Sequence, residues 1–233
     1  MKAMLVRVGA DQSVGGGSWN GPVEPDSGRF AYVAIPESKA LHAGFEKPYR
    51  ALDPVLAQFD VTLPFNLQAR HMHLDPDFSH LTYGDHGQRA KQLKDTLEQD
   101  DWVVFYAGLS NCRGSGLVYA LIGVLVVDRL VLARELEDYD INAHSRRLLS
   151  PDADDVVVIG RSSGSGRLSR CLPIGEYRDR AYRVRRDVLE AWGGLSVKDG
   201  YLQRSARLPV FLDPAKFRDW FAKQRVELAH LNN

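Results

Sequence analysis

Hydrophobic positions are densest between residues 100 and 134. Trp102-Val-Val-Phe-Tyr-Ala-Gly-Leu109 is followed by a polar Ser/Asn/Gly break over residues 110–116 and by a second apolar run, Leu117-Val-Tyr-Ala-Leu-Ile-Gly-Val-Leu-Val-Val127, which resumes after Asp128-Arg129 and ends at Leu132. Runs rich in β-branched and aromatic side chains on either side of a glycine-containing break predict paired strands covered on both faces. The second run outlasts an ordinary strand of about 5–6 residues, so Gly123 or the Asp128-Arg129 pair is expected to mark a bulge, a bend or an exchange of partners. Alternation sets Trp102, Val104 and Tyr106 on one face and Val103 and Phe105 on the other, with one of the two faces packed as core. A hairpin this bent predicts a small, curled barrel.

The flanking pattern fills in the rest. Residues 4–8 form a short strand candidate, residues 12–22 a glycine-rich loop around Gly15, Gly16 and Gly17, and residues 30–35 a returning strand stopped by Pro36. Three consecutive glycines offer no packing surface and lose much backbone entropy, so the segment reads as a loop that lets backbone approach a ligand closely. Residues 48–58 carry helical spacing interrupted by Pro54, and residues 71–78 are too rich in turn-forming and titratable side chains for regular structure. Residues 88–99 read as a helix, 155–160 and 168–174 as strands, and 187–192 as a short helix stopped by Gly193-Gly194; residues 201–211 read as largely extended. Asp213 and Pro214 open a terminal helix as N-cap and first-turn proline, with Phe217, Trp220, Phe221 and Val226 on its apolar face. These elements predict one α+β domain over residues 1–233, a mixed, strongly curved sheet or small barrel with peripheral helices.

Composition narrows the classes. A chain of 233 residues can bury a core without staples. Thirty basic residues balance thirty acidic ones, so nucleic-acid binding would depend on local patches. The first residues lack the apolar stretch of a signal peptide and no run suits a membrane helix, which predicts a cytoplasmic protein. Cys112 and Cys171 are too few for a disulfide framework or a structural zinc site.

Several of these segments together resemble one family. Arg7-Val-Gly-Ala-Asp11-Gln-Ser-Val-Gly-Gly-Gly17, His73-Leu-Asp75-Pro-Asp77, the strand pair Asp101 to Gly108 and Ala120 to Val124, His144, the strand ending at Arg161, and Arg204-Ser-Ala-Arg207-Leu-Pro-Val resemble, in this order, the bacterial and phage nucleotide modification associated domain 3 family. The resemblance implies a role beside systems that make or handle modified DNA bases, with nucleotides, modified DNA or proteins of such a system as partners. It names no reaction and no cofactor. The two central strands are also similar to those of PUA-like barrels such as the EVE and ASCH domains, which implies a PUA-like barrel that holds flipped or modified bases.

Four groups of residues carry candidate chemistry. The loop from Arg7 through Asp11 and Gly15, Gly16 and Gly17 can cradle a phosphate on backbone N–H groups, with Arg7 as counter-charge; it matches neither the P-loop nor the dinucleotide fingerprint, and a plain surface turn is the competing interpretation. His71, His73, Asp75 and Asp77 combine imidazoles and carboxylates suited to proton transfer or to a metal, which would need a further ligand such as Asp11 or His144. The expectation taken here is a polar site without metal; the alternative is a capped turn with packed histidines. Trp19, Trp102, Tyr106 and Tyr119 can stack on a base or simply fill the core, Tyr106 and Trp19 being the better placed readers. Arginines gather late, at 146, 147, 161, 167, 170, 178, 180, 183, 185, 186, 204 and 207, either as a phosphate-binding face or as a solvated one.

The combined expectation is a pocket for a nucleotide or an extruded modified base, formed by the glycine loop, the His73-Leu-Asp75 turn and the ends of the hairpin. Asp11 and His73 would transfer protons, Asp75 or Asp77 would orient them, and Arg7 or Arg146 would stabilise charge, with Trp19, Tyr106, His144 and Arg204 contacting the ligand. No activated serine or cysteine nucleophile is evident. A non-catalytic reader of modified bases and a structural partner of a modification complex remain open beside the enzyme.

Overall fold

The hairpin predicted at residues 102–132 is the middle of the sheet. The computed structural model describes residues 1–12, 18–202 and 206–233. Among these, the strands in chain order are β1 (Ala3–Arg7), β2 (Pro22–Val23), β3 (Ile35–Pro36), β4 (Met72–His73), β5 (Thr82–Asp85), β6 (Trp102–Asn111), β7 (Leu117–Leu132), β8 (Val156–Gly160), β9 (Gly166–Pro173), β10 (Gly175–Arg178), β11 (Ala181–Val184) and β12 (Leu228–Ala229). The α-helices are α1 (Asp53–Ala57), α2 (Gly87–Thr96), α3 (Arg186–Ala191) and α4 (Pro214–Lys223). The main sheet runs β1-β6-β7-β8-β5, with β1 parallel to β6 and the remaining neighbours along this path antiparallel. The fold is therefore α+β with a mixed sheet.

The long strand β7 changes partners along its length. Its first half lies between β6 and β9, and its second half pairs with β8. Both positions expected to break its regularity do so: pairing with β6 and β9 shifts around Gly123, and pairing with β8 shifts at Asp128. The sheet bends at these bulges but does not close. The outer edge of β1 is occupied instead by residues 209–211, through Leu5 N–H to the Pro209 carbonyl at 2.8 Å and Phe211 N–H to the Ala3 carbonyl at 3.0 Å. With that edge filled, β5 has nothing to pair with on β1, and the small PUA-like barrel expected from the strand pattern is not formed.

Alternation along β6 holds, but both of its faces are core. Val103, Phe105 and Ala107 pack with Tyr32, Phe78 and Leu125, while Val104 and Tyr106 pack with Tyr119, Leu121 and the side chains of α3 and α4. The terminal helix is capped as predicted, Asp213 Oδ1 accepting from the Lys216 N–H at 3.1 Å, and it presses Phe217 and Phe221 against Trp102. The strand expected over residues 30–35 is reduced to a single bridge at Phe30 and the two-residue β3. Residues 30–34 are nonetheless buried, and they hydrogen-bond to scattered partners rather than along one strand. The hairpin of β10 and β11 has too few apolar residues to have been recognised in the sequence. No described helix is long and apolar enough to cross a membrane.

Gly123 ties the sheet to the segment that carries the candidate chemistry. A Cβ there would lie 2.3 Å from the Phe78 ring and 3.0 Å from the Gly166 carbonyl oxygen, so the bare backbone is what lets Phe78 lie against β7. Phe78 is fully buried and meets Tyr32 and Phe105 edge to face. Gly123→Ala is expected to destabilise the fold by about 1–3 kcal/mol through overpacking, read as a lower denaturant midpoint with an unchanged slope; an unchanged midpoint would contradict the packing described.

Candidate functional site

Two hollows lie on opposite sides of the chain around β4. Met72 and Leu74 line a cavity of about 520 Å³ with Phe30, Phe59 and Arg167, while His73 and Asp75 line a smaller, polar cleft of about 130 Å³. Successive side chains of an extended segment point to opposite sides, and that alternation assigns the titratable pair to the cleft. The cleft is completed by Arg7, Val8 and Gly9 at the end of β1, Tyr83 to Asp85 on β5, His86 and Arg89 at the start of α2, and His144. His86 is exposed and marks the mouth; His73, Asp75 and His144 are buried.

At the floor, three side chains converge. His73 Nε2 and His144 Nε2 lie 3.9 and 3.7 Å from Asp75 Oδ2, and the two imidazole rings meet edge to face at 4.9 Å between centroids. Each histidine is held from behind. His73 Nδ1 lies 2.7 Å from Glu37 Oε2, and His144 Nδ1 hydrogen-bonds Asp155 Oδ2. Nδ1 of His73 thus sits between the Glu37 carboxylate, which is ion-paired to Arg147 at 3.0 Å, and Arg147 Nη2 at 3.1 Å; with the proton on Nδ1 and donated along the shorter contact to Glu37, Nε2 presents its lone pair to the cleft.

Asp75 is fixed by donors on its other side. The Gly84 N–H reaches both carboxylate oxygens at 2.9 and 3.0 Å, and Asn142 Nδ2 donates to Oδ1 at 3.1 Å. The Oδ1 of Asn142 in turn accepts the His144 N–H at 2.8 Å, so this buried amide links the carboxylate to the second histidine. Gly84 also makes room for that histidine, since a Cβ would lie 2.3 Å from His144 Cδ2.

Burial dominates the electrostatics. It pushes the Asp75 carboxyl well above the usual range, against the hydrogen bonds from Gly84 and Asn142. Burial, with His144 and Arg147 nearby, lowers His73 to about 4 in spite of Glu37, so the ring is a neutral imidazole near pH 7. Burial works against ionisation at Glu37 and Asp155 too, but their hydrogen bonds from the histidines and, for Glu37, from Arg147 outweigh it and hold both below the ordinary carboxylate range. The floor thus sets an unprotonated imidazole nitrogen beside a carboxyl group that resists losing its proton, a pair equipped for proton transfer.

Two arginines flank this floor. Arg89 pairs with Asp85 at 2.9 Å and donates to the Tyr83 hydroxyl at 2.9 Å. Arg7 donates through Nε to Asp11 Oδ2 at 2.9 Å and through Nη2 to the Tyr119 hydroxyl at 3.0 Å, and its Nη1 has no hydrogen-bond partner among the described residues.

Of the residues singled out in the sequence, Arg7, His73, Asp75 and His144 come together at this cleft. Asp11 lies behind Arg7, where its carboxylate also accepts the Gly108 N–H at 2.7 Å. Asp77 faces away, into a buried ion pair with Arg146 at 2.6 Å that Asn232 joins at 2.9 Å. Arg146 also binds Asp140, so it ties residues 140–146 to the Asp77 turn. His71 is exposed, Trp19 is half-buried against the core, and Tyr106 is 1% exposed on the core face of β6 that also takes in side chains of α3 and α4, away from any open stacking surface. Gly15, Gly16, Gly17 and Arg204 lie outside the described residues. Several of the later arginines are paired locally, Arg161 with Asp100, Arg178 with Glu176 and Asp199, and Arg185 with Asp187.

The family model for nucleotide modification associated domain 3 matches residues 2–207, a span that contains every residue of the cleft. The chain belongs to this family. Membership associates it with nucleotide modification systems. No curated protein and no solved structure matches the chain.

Sequence reasoning missed Glu37, Gly84, Asn142 and Asp155, the groups that aim the histidines and the carboxylate. They come from four separate segments and share no spacing; the one local signal is Asn142 two residues before His144. Arg146→Ala is expected to cost about 3–5 kcal/mol of stability, because it strands the buried Asp77 carboxylate. Thermal or denaturant unfolding checks this; a loss below about 1 kcal/mol would contradict the bridging role.

Proposed function

We propose that this chain binds a nucleotide, or a modified base extruded from DNA, with its polar edge in the cleft of His73, Asp75 and His144, and that the histidines and Asp75 move protons at the bound base. The observation that carries the proposal is the convergence of a neutral imidazole, a second imidazole and a buried carboxyl group beside Arg7 and Arg89. Groups of opposite protonation state held within about one hydrogen-bond length of a common ligand suit acid–base work, and two arginines suit a phosphate or an electron-rich base edge. The cleft volume of about 130 Å³ fits one polar edge rather than a whole nucleotide, so the sugar and phosphates would extend past His86 at the mouth.

A catalyst is favoured over a reader because the cleft is lined by titratable groups, whereas Tyr106, the better-placed stacking candidate of the hairpin, is packed in the core. The test is binding of purified protein to a panel of free nucleotides and of unmodified and modified DNA duplexes, at two salt concentrations, with and without added divalent cations, followed by product analysis. One nucleotide or modified base is expected to bind with weak salt dependence and to be converted, and Arg89→Gln to weaken its binding roughly 10–100-fold, as for loss of a charge-assisted hydrogen bond. Binding of modified duplex without conversion would make the protein a reader. Absence of binding to every member would remove the proposal and leave the role of a structural partner.

A further inference from the structure

The floor of the cleft has a feature that proton transfer alone does not require. His73 and His144 are each fixed through Nδ1 by a carboxylate, Glu37 and Asp155, and each directs Nε2 at the same oxygen of Asp75. The separations, 3.9 and 3.7 Å, are too long for direct hydrogen bonds. Among the described residues no lysine or arginine lies within 4 Å of the Asp75 carboxylate, and the only basic side chains that do are the two imidazoles. Three electron-pair donors therefore face a common point in a buried place, with the backbone of Gly84 and the amide of Asn142 holding the carboxylate from behind.

We infer that His73, Asp75 and His144 bind a divalent first-row transition-metal ion through His73 Nε2, Asp75 Oδ2 and His144 Nε2. One ligand atom from each residue lies within 4.8 Å of the other two. An ion at about 2.0–2.2 Å from nitrogen and oxygen ligands spaces them roughly 3.3–3.6 Å apart, so each imidazole nitrogen draws toward Asp75 Oδ2 by a few tenths of an ångström from 3.9 and 3.7 Å, and the two imidazoles, whose ligand atoms lie within 4.8 Å, close on one another as the ion binds. Two imidazoles and one carboxylate suit zinc, iron, manganese, cobalt or nickel better than magnesium or calcium, which prefer oxygen alone. Carboxylates behind ligating histidines fix the tautomer and make Nε2 a stronger donor, and Glu37 and Asp155 stand in those positions. Arg147 in turn holds Glu37, which keeps the outer layer ionised.

Three protein ligands leave coordination positions open on the side of Arg7, His86 and Arg89, where water or a ligand oxygen can bind. The ion thereby supplies the positive charge that the buried Asp75 lacks. A bound ion takes up the same Nε2 and Oδ2 atoms that proton transfer at a base would use, so in the metal-loaded protein nucleotide contact falls to the open coordination positions with Arg7 and Arg89, and the proton-transfer role belongs to the metal-free chain. The titration contains no nucleotide, so its outcome is read apart from nucleotide binding.

The experiment is titration of chelator-treated full-length chain with Co²⁺ and Zn²⁺, followed by native mass spectrometry and by the visible absorption of bound Co²⁺. One ion per chain is expected, with a Co²⁺ spectrum of mixed nitrogen and oxygen ligation. Asp75→Asn and His144→Ala should abolish stoichiometric binding while circular dichroism stays unchanged. Glu37→Gln and Asp155→Asn leave all three ligands in place and should weaken binding about 10–100-fold, which keeps the inference testable should the ligand variants not fold. Folded wild-type protein that takes up no stoichiometric ion would overturn the inference, as would Glu37→Gln and Asp155→Asn, or folded ligand variants, that bind as tightly as wild type.

Discussion

Burying a carboxylate is costly unless something meets it, and the placement of Asp75 organises much of this molecule around that requirement. Its side chain is 5% exposed, and its oxygens are met by a β5 backbone N–H and by the amide of Asn142, with two imidazole nitrogens facing one of them beyond hydrogen-bond reach. Each of those groups is itself held: Asn142 by Thr82, His73 by Glu37, His144 by Asp155, and Glu37 by Arg147. Segments from five parts of the chain are joined by one polar network. Such a network is stable only when nearly all of its members are satisfied, and the three atoms facing one another at its centre are where satisfaction stops.

The sheet supplies the rigid frame for this network. The first half of β7 is covered on both sides by β6 and β9, and its bulges turn it so that β8 and β5 bring Gly84 under Asp75. Phe78, seated on Gly123, anchors the segment that follows Asp75. The buried pair of Arg146 and Asp77 then fixes the loop that carries His144. Asp77 and Arg146, which sequence reasoning placed among the candidate chemical groups, face one another behind the cleft rather than into it.

Much of this was legible in the residues because periodicity and cap chemistry are local. The β6–β7 hairpin, its irregularities at Gly123 and Asp128, the alternating faces of β6 and the Asp213 cap could all be read from short windows. His73 with Asp75 stood out as an imidazole and a carboxylate two residues apart. The open sheet was not legible, because whether β1 pairs with β5 or with residues 209–211 is decided by a contact some two hundred residues away. Nor were Glu37 and Asp155, ordinary acidic residues whose importance arises only when folding sets them behind a histidine. Tyr106 illustrates the reverse: an aromatic near a loop suggested a stacking surface, but α3 and α4 cover that face.

The claim that the cleft of His73, Asp75 and His144 is where this family member handles its nucleotide can be tested residue by residue. The chain has seven histidines, at 42, 71, 73, 80, 86, 144 and 230, so histidine-labelled NMR of metal-free protein during nucleotide titration reports on the cleft and on distant sites together. Shifts concentrated on His73, His86 and His144, with the other four unmoved, are the predicted result. A nucleotide that binds while leaving those three resonances in place would contradict the account.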